Sequence, residues 1–286
     1  MLADRGIASR LFLGALFLFP APEVFAHGLI EDQIAGLTKQ VAEKPDDAAL
    51  YARRAELHRE HGDAKAARAD LHTALAICPE DAAFLLALAR LQRESDQLAA
   101  ALSSVDACLW RHPGNPLALE EKARIHVAGS EWSEAASAWE ACLKASPNPP
   151  LEVSLSYADA CCRAGSTERA VVVLREAIQR HPRVISLRQR TGALLIELDD
   201  HAAARREFAA LRGYYPSLEV RLLMEEAEIW LKNQWLNEAR SAFLKARFAF
   251  VSLPPERQSQ AAMRALGKHI NEALDQLEKS LNVNTK

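Results

Sequence analysis

Six prolines limit this chain more than any other feature. Pro45, Pro79, Pro113, Pro147, Pro182 and Pro216 are separated by 34, 34, 34, 35 and 34 residues. A fixed period of this length marks stacked units, none of which can bury its apolar face alone. The single 35 is accounted for by one extra residue near Pro149-Pro150.

Aligned on the prolines, each unit has a small residue in its first half: Ala55, Ala89, Ala123, Ala158 and Gly192. Twelve residues later comes Ala67, Ala101, Ala135, Ala170 or Ala204, then four further a larger apolar residue, Leu71, Val105, Trp139, Leu174 or Phe208. Three further again stands Ala74, Cys108, Cys142, Ala177 or Leu211. Spacing of i, i+4 and i+7 is one face of an α-helix. Between the halves lie Gly62-Asp63, Asp96-Gln97, Ser130-Glu131, Gly165-Ser166 and Asp199-Asp200. Glycine ends a helix by tolerating positive φ, and short polar groups can cap the next. Each unit therefore reads as helix, tight turn, helix, closed by a proline that cannot continue the second helix.

These positions resemble the tetratricopeptide repeat, whose units follow roughly W-x-x-L-G-x-x-Y, A-x-x-x-F, A and P. Tyr51, Ala55, His58, Ala67, Leu71, Ala74 and Pro79 carry the resemblance in the first unit, and Tyr157-Ala158, Ala170, Leu174, Ala177 and Pro182 in the fourth. It implies an all-α, right-handed superhelical solenoid with capping helices at both ends. Repeats are expected at 48–81, 82–115, 116–150, 151–184 and 185–218, with a degenerate sixth at 220–252 that keeps Leu223, Ala227, Trp230, Ala239, Phe243 and Ala246. Residues 27–47 read as a capping half-repeat, with Ile34, Leu37 and Val41 on one face; 253–286 read as one capping helix and tail, with Met263, Leu266, Ile270, Leu274, Leu277 and Leu281 at helical spacing.

The first 26 residues read as an export signal. Arg5 and Arg10 precede the apolar run Leu11–Phe19, Pro20 breaks it, and Val24 and Ala26 suit cleavage after Ala26. The nine-residue run falls short of the ~20 residues that cross a bilayer. No membrane span is expected after cleavage, and the chain is expected in the periplasm or outside the cell.

The resemblance also implies a concave groove lined by the first helices. On that face it places Glu56, Leu86, Arg90, Arg93, Glu120, Arg124, Asp159, Arg163, Gln189 and Ile196, with Arg59, Glu60 and Glu197 beside them. Arginines can pair bidentately with carboxylates and the apolar residues can hold a side chain, so a protein or peptide partner is expected there. The places at which some family members carry lysines and asparagines to clamp a terminal carboxylate hold Ala52, Glu56, Ala83 and Ala87. No such clamp is expected.

Other chemistries find little support. A net charge of −3 and 6% aromatic residues leave neither a basic excess nor stacking platforms for nucleic acid. No nucleophile elbow, phosphate loop, dinucleotide fingerprint or H-E-x-x-H is present, so a non-catalytic adaptor without a cofactor is expected. Cys78, Cys108, Cys142, Cys161 and Cys162 are odd in number and lack zinc-site spacing, and read as packing residues. Two alternatives stay open. One is a copper or small-ligand module built on His27 as the mature amino terminus, with His58 and His61 as further imidazoles; the other is an accessory subunit whose array only oligomerises.

Overall fold

The computed structural model describes residues 22–283, with side chains from Leu29 to Leu281. Residues 1–21 of the expected export signal, its apolar run included, and the side chain of His27 therefore lie outside the described residues. All regular structure among the described residues is helical, and none of these helices is long and apolar enough to cross a membrane.

An opening helix, α1 (Pro22–Glu43), is followed by twelve helices joined two by two through tight turns. They are α2 (Ala48–Glu60) with α3 (Ala64–Ile77), α4 (Ala82–Glu94) with α5 (Leu98–Arg111), and α6 (Pro116–Ala128) with α7 (Trp132–Ala145). Then come α8 (Leu151–Arg163) with α9 (Thr167–Arg180), α10 (Ile185–Glu197) with α11 (His201–Tyr214), and α12 (Glu219–Lys232) with α13 (Leu236–Val251). A 3-10 turn at Pro216–Leu218 precedes α12, and two helices close the chain, α14 (Pro255–Gln258) and α15 (Ala261–Val283).

Every hairpin turn is built alike. Gly62, Asp96, Ser130, Gly165, Asp199 and Gln234 all have φ between +58° and +86°. At each, the positive-φ residue donates its N–H to a carbonyl three residues back and the next residue donates to one five back, as in Gly62 to Arg59 (3.0 Å) and Asp63 to His58 (2.8 Å). This is the Schellman closure, which satisfies the carbonyls a helix end otherwise leaves unpaired. Side-chain caps are less regular. Asp63 and Asp200 accept from Ala66 and Ala203, whereas Glu131 and Ser166 make no capping bond. Two residues past the first three prolines, Asp47, Asp81 and Asn115 cap α2, α4 and α6. In the fourth and fifth repeats the residues before α8 and α10 are Pro150, shifted one place by the extra residue, and Val184, and they cap nothing.

The repeated small and large positions form the core. Ala67, Ala101, Ala135, Ala170, Ala204 and Ala239 are each fully buried, and Leu71, Val105, Trp139, Leu174, Phe208 and Phe243 nearly so. The sixth hairpin shares this pattern, with Ala227, Trp230 and Ala246 buried. Its first helix is one residue longer than the 13 of the preceding five, and α13 runs to 16 residues because no proline stops it before Pro254.

The chain forms two compact units, divided between Gln97 and Leu98, a boundary that falls in the turn of the second repeat. In the first, α1 packs on α2, α2 on α3, and α4 on both, around Leu37, Val41 and Leu50 at one end and Ala55, Ala67, Leu71, Leu88 and Leu91 at the other. In the second, successive helices from α5 to α13 pack in order and α15 closes on α13. One continuous core runs from Ala123 to Leu277. The carboxy-terminal segment departs from a single helix over Pro255–Leu281: Ser259 and Gln260 interrupt it after one turn. Ile270, Leu274 and Leu277 of α15 are buried as their spacing requires.

Candidate protein-interaction surfaces

The charged residues of the first helices lie mostly in ion pairs. In the first unit Arg59 donates to Glu56 (2.7 Å) and reaches Glu94 on α4 (3.2 Å), while Arg90 comes within 4.0 Å of Glu56. The Arg59 hydrogen bond holds the Glu56 carboxyl below its usual range, and the carboxylate in turn raises the guanidinium. Leu86 and Arg93 are half-buried on α4.

In the second unit Arg124 donates to Glu120 and lies 3.9 Å from Glu121. Asp159 accepts from Arg190 on α10 and is approached at 3.9 Å by Arg163 of its own helix. Gln189 donates to Glu225 on α12 (2.6 Å), which also accepts from Arg221. Carboxylates thus stitch one first helix to the next, α2 to α4, α8 to α10 and α10 to α12. Arg163 also stacks on Trp132, 4.6 Å from the ring centroid. The Arg124 and Arg163 side chains stay 45% and 58% exposed. A guanidinium has five donors, so a carboxylate on one edge leaves others for a ligand.

Ile196 is the exception among the residues placed on this face. It is 2% exposed and belongs to the core of the second unit. Its place near the end of α10 turns it inward, beside Leu194 and Leu195, which are buried as well. A run of three apolar residues does not reveal from spacing alone which points out.

Pairing also governs the histidines. His58 lies 4.0 Å from Asp70 and His61 lies 3.7 Å from Glu31. Among the described residues no three His, Cys, Asp or Glu side chains gather as a metal set. None of the five cysteines is in a disulfide; Cys108, Cys142 and Cys161 are buried, Cys162 is half-buried and Cys78 exposed. Burial pushes the Cys142 thiol up to about 11 and raises Cys161 and Cys162 as well.

Two features have no counterpart in the repeat pattern. Arg54 makes a bidentate pair with the buried Asp70, Nη2 to Oδ1 2.6 Å and Nε to Oδ2 2.7 Å, fixing α2 to α3. In the second unit a cleft of about 1070 Å³ opens along α13, its apolar lining supplied by Leu223, Leu244, Phe248 and Leu253. Its sequence signal is the stretch from Ala239 to Pro255, which holds Arg240, Lys245 and Arg247 and no acid.

Residues 120–184 match the family model described as tetratricopeptide repeat. No curated protein matches the sequence. A tetratricopeptide repeat protein from Parabacteroides merdae superposes with a TM-score of 0.50 at 16% identity, over 87% of this chain and 94% of its own. The C-terminal part of a TPR repeat-containing protein from Cytophaga hutchinsonii gives 0.57 at 14% identity, over 85% and 96%. The chain therefore has the helical-hairpin fold of tetratricopeptide repeat proteins, with the family's sequence pattern matched at 120–184.

Proposed function

We propose that this chain is an exported, non-catalytic adaptor that holds a segment of a partner protein on the face of its first helices. The observation that carries this reading is the pair Arg124 and Arg163. Each is anchored by a carboxylate of its own helix and roughly half exposed, and Trp132 fixes the second guanidinium from below. A pinned guanidinium loses less side-chain entropy on binding than a free one. An acidic or carbonyl-rich peptide segment is the ligand such a face suits.

Export rests on Arg5, Arg10, the apolar run Leu11–Phe19 and the small residue Ala26. On this reading residues 27–47 cap the array, 48–252 form it and 253–286 close it. The mature chain recovered from the periplasm or medium is expected to begin at His27 by mass; recovery only from the cytoplasm with Met1 retained would contradict export. For the binding face, purified mature protein is used to capture partners from the exported fraction, in parallel with the Arg124→Glu/Arg163→Glu variant. Loss of the captured partner supports the reading, and equal recovery removes it.

A further inference from the structure

The α13 cleft has the chemistry of a second docking site, independent of the first-helix face. Ala239, Ala242, Phe243 and Ala246 turn into the core, which leaves Asn237, Ser241, Leu244, Lys245, Phe248 and Ser252 along the cleft at helical spacing. Phe248 is 76% exposed. A phenylalanine so placed is costly to leave in water, since its ring gains from burial against an apolar partner. The closing helix does not cover it: α15 meets α13 through Phe250, packed at Gly267, and through Arg240, 3.5 Å from Glu278.

Charge on the rim is one-sided. Arg212, Arg240 and Lys245 line the cleft against the single acid Glu219. Arg212 is engaged by the buried Glu226 and Arg240 by Glu278, but among the described residues Lys245 has no acidic partner. In a chain of net charge −3, the 17 residues from Ala239 to Pro255 carry three cations and no anion. An apolar floor under a basic rim complements a ligand with apolar side chains on one face and carboxylates on the other. From Asn237 to Ser252 the lining follows α13 for ~22 Å at 1.5 Å per residue, and 1070 Å³ exceeds the ~300–1000 Å³ of small-molecule pockets. Both favour a peptide segment over a metabolite.

We propose that the α13 cleft docks an acidic amphipathic helical segment of a partner protein, with Phe248 as the apolar anchor contact and Lys245 as the charge contact. The test is fluorescence anisotropy of the full chain with a labelled 15-residue helical probe, leucine at i, i+3, i+4 and i+7 and glutamate elsewhere. The expected result is saturable binding that weakens about tenfold or more in Phe248→Ser and in Lys245→Glu, and that is lost when the probe's glutamates are replaced by lysine. Both substituted residues are solvent-facing, and circular dichroism checks that each variant stays helical. The titrations are repeated in the Arg124→Glu/Arg163→Glu background, which removes any share of the acidic probe held on the first-helix face; the loss in Phe248→Ser and Lys245→Glu is expected there too, so this site and the first-helix face succeed or fail separately. Equal binding of glutamate and lysine probes, or full retention of binding in both cleft variants, overturns the proposal. So does tighter binding to phosphatidylglycerol vesicles than to the probe, which assigns the face to a membrane. Self-association of the chain abolished by Phe248→Ser also overturns it and assigns the face to a second copy.

Discussion

At the scale of single residues, the repeat is a set of compensating volumes. Gly192 holds the small place of the fifth repeat where the others have alanine, and its large partner is Phe208. A Cβ added at Gly192 would lie 2.5 Å from the Phe208 ring, so the glycine exists to admit the phenylalanine. Gly192→Ala is expected to destabilise the chain by ~1–3 kcal/mol, the usual cost of overpacking. Gly192→Ala/Phe208→Leu restores the alanine–leucine pairing of the first and fourth repeats and is expected to recover most of that loss in urea melts. The turns give a complementary case. Four of the six positive-φ places hold a residue other than glycine, and Gln234 (φ +65°) has the least reason to be there, because aspartate and asparagine tolerate this region better. Gln234→Gly relieves a left-handed backbone cost of about 1 kcal/mol. A rise of that order in unfolding free energy is expected; no change would mean the αL turn is already offset by contacts of the Gln234 side chain.

At the scale of helices, the period announces which residues meet inside a hairpin but not which charges meet between helices. The small and large core positions were legible because two helices can approach only where one side is small. The polar links between helices were not, because long polar side chains span gaps that depend on helix placement: Asp159 finds Arg190 31 residues away, and Gln189 finds Glu225 36 residues away. Arg54–Asp70 is the most buried of these links in the first unit, with side-chain exposures of 16% and 9%. Removing one partner strands the other charge away from water, which typically costs ~3–5 kcal/mol, whereas removing both is far cheaper. Arg54→Met is therefore expected to lower stability by about 3 kcal/mol, and Arg54→Met/Asp70→Leu to return near the parent. A double variant as unstable as the single would mean that Arg54 acts through packing, for instance over the Tyr51 ring 5.7 Å away, and not through its charge.

At the scale of the whole molecule, an unbroken sequence period coexists with a divided structure. Prolines run through 79 and 113 at the same interval as elsewhere, yet the compact units part at Gln97 and Leu98. Period reports where each helix starts and stops; it does not report how much surface neighbouring helices bury. The same distinction predicts how the carboxy-terminal end behaves. In a stacked array each element is held chiefly by its neighbours, so stability is a sum of nearest-neighbour interfaces. The helix α15 closes the second unit by burying Ile270, Leu274 and Leu277, each worth ~1.5–3 kcal/mol as an upper estimate. Ending the chain at Ser252 removes all three and uncovers Phe250. The expected loss is on the order of 5 kcal/mol, felt first by its neighbour α13 and then by α12. In hydrogen exchange of the truncated chain, amides of residues 219–251 should lose protection most, with the loss fading through α11 and α10 and absent by α5 and α6. A uniform loss across residues 98–251 would instead mean that the second unit unfolds as one cooperative block, in which the continuous core from Ala123 to Leu277 outweighs the modularity that the repeat implies.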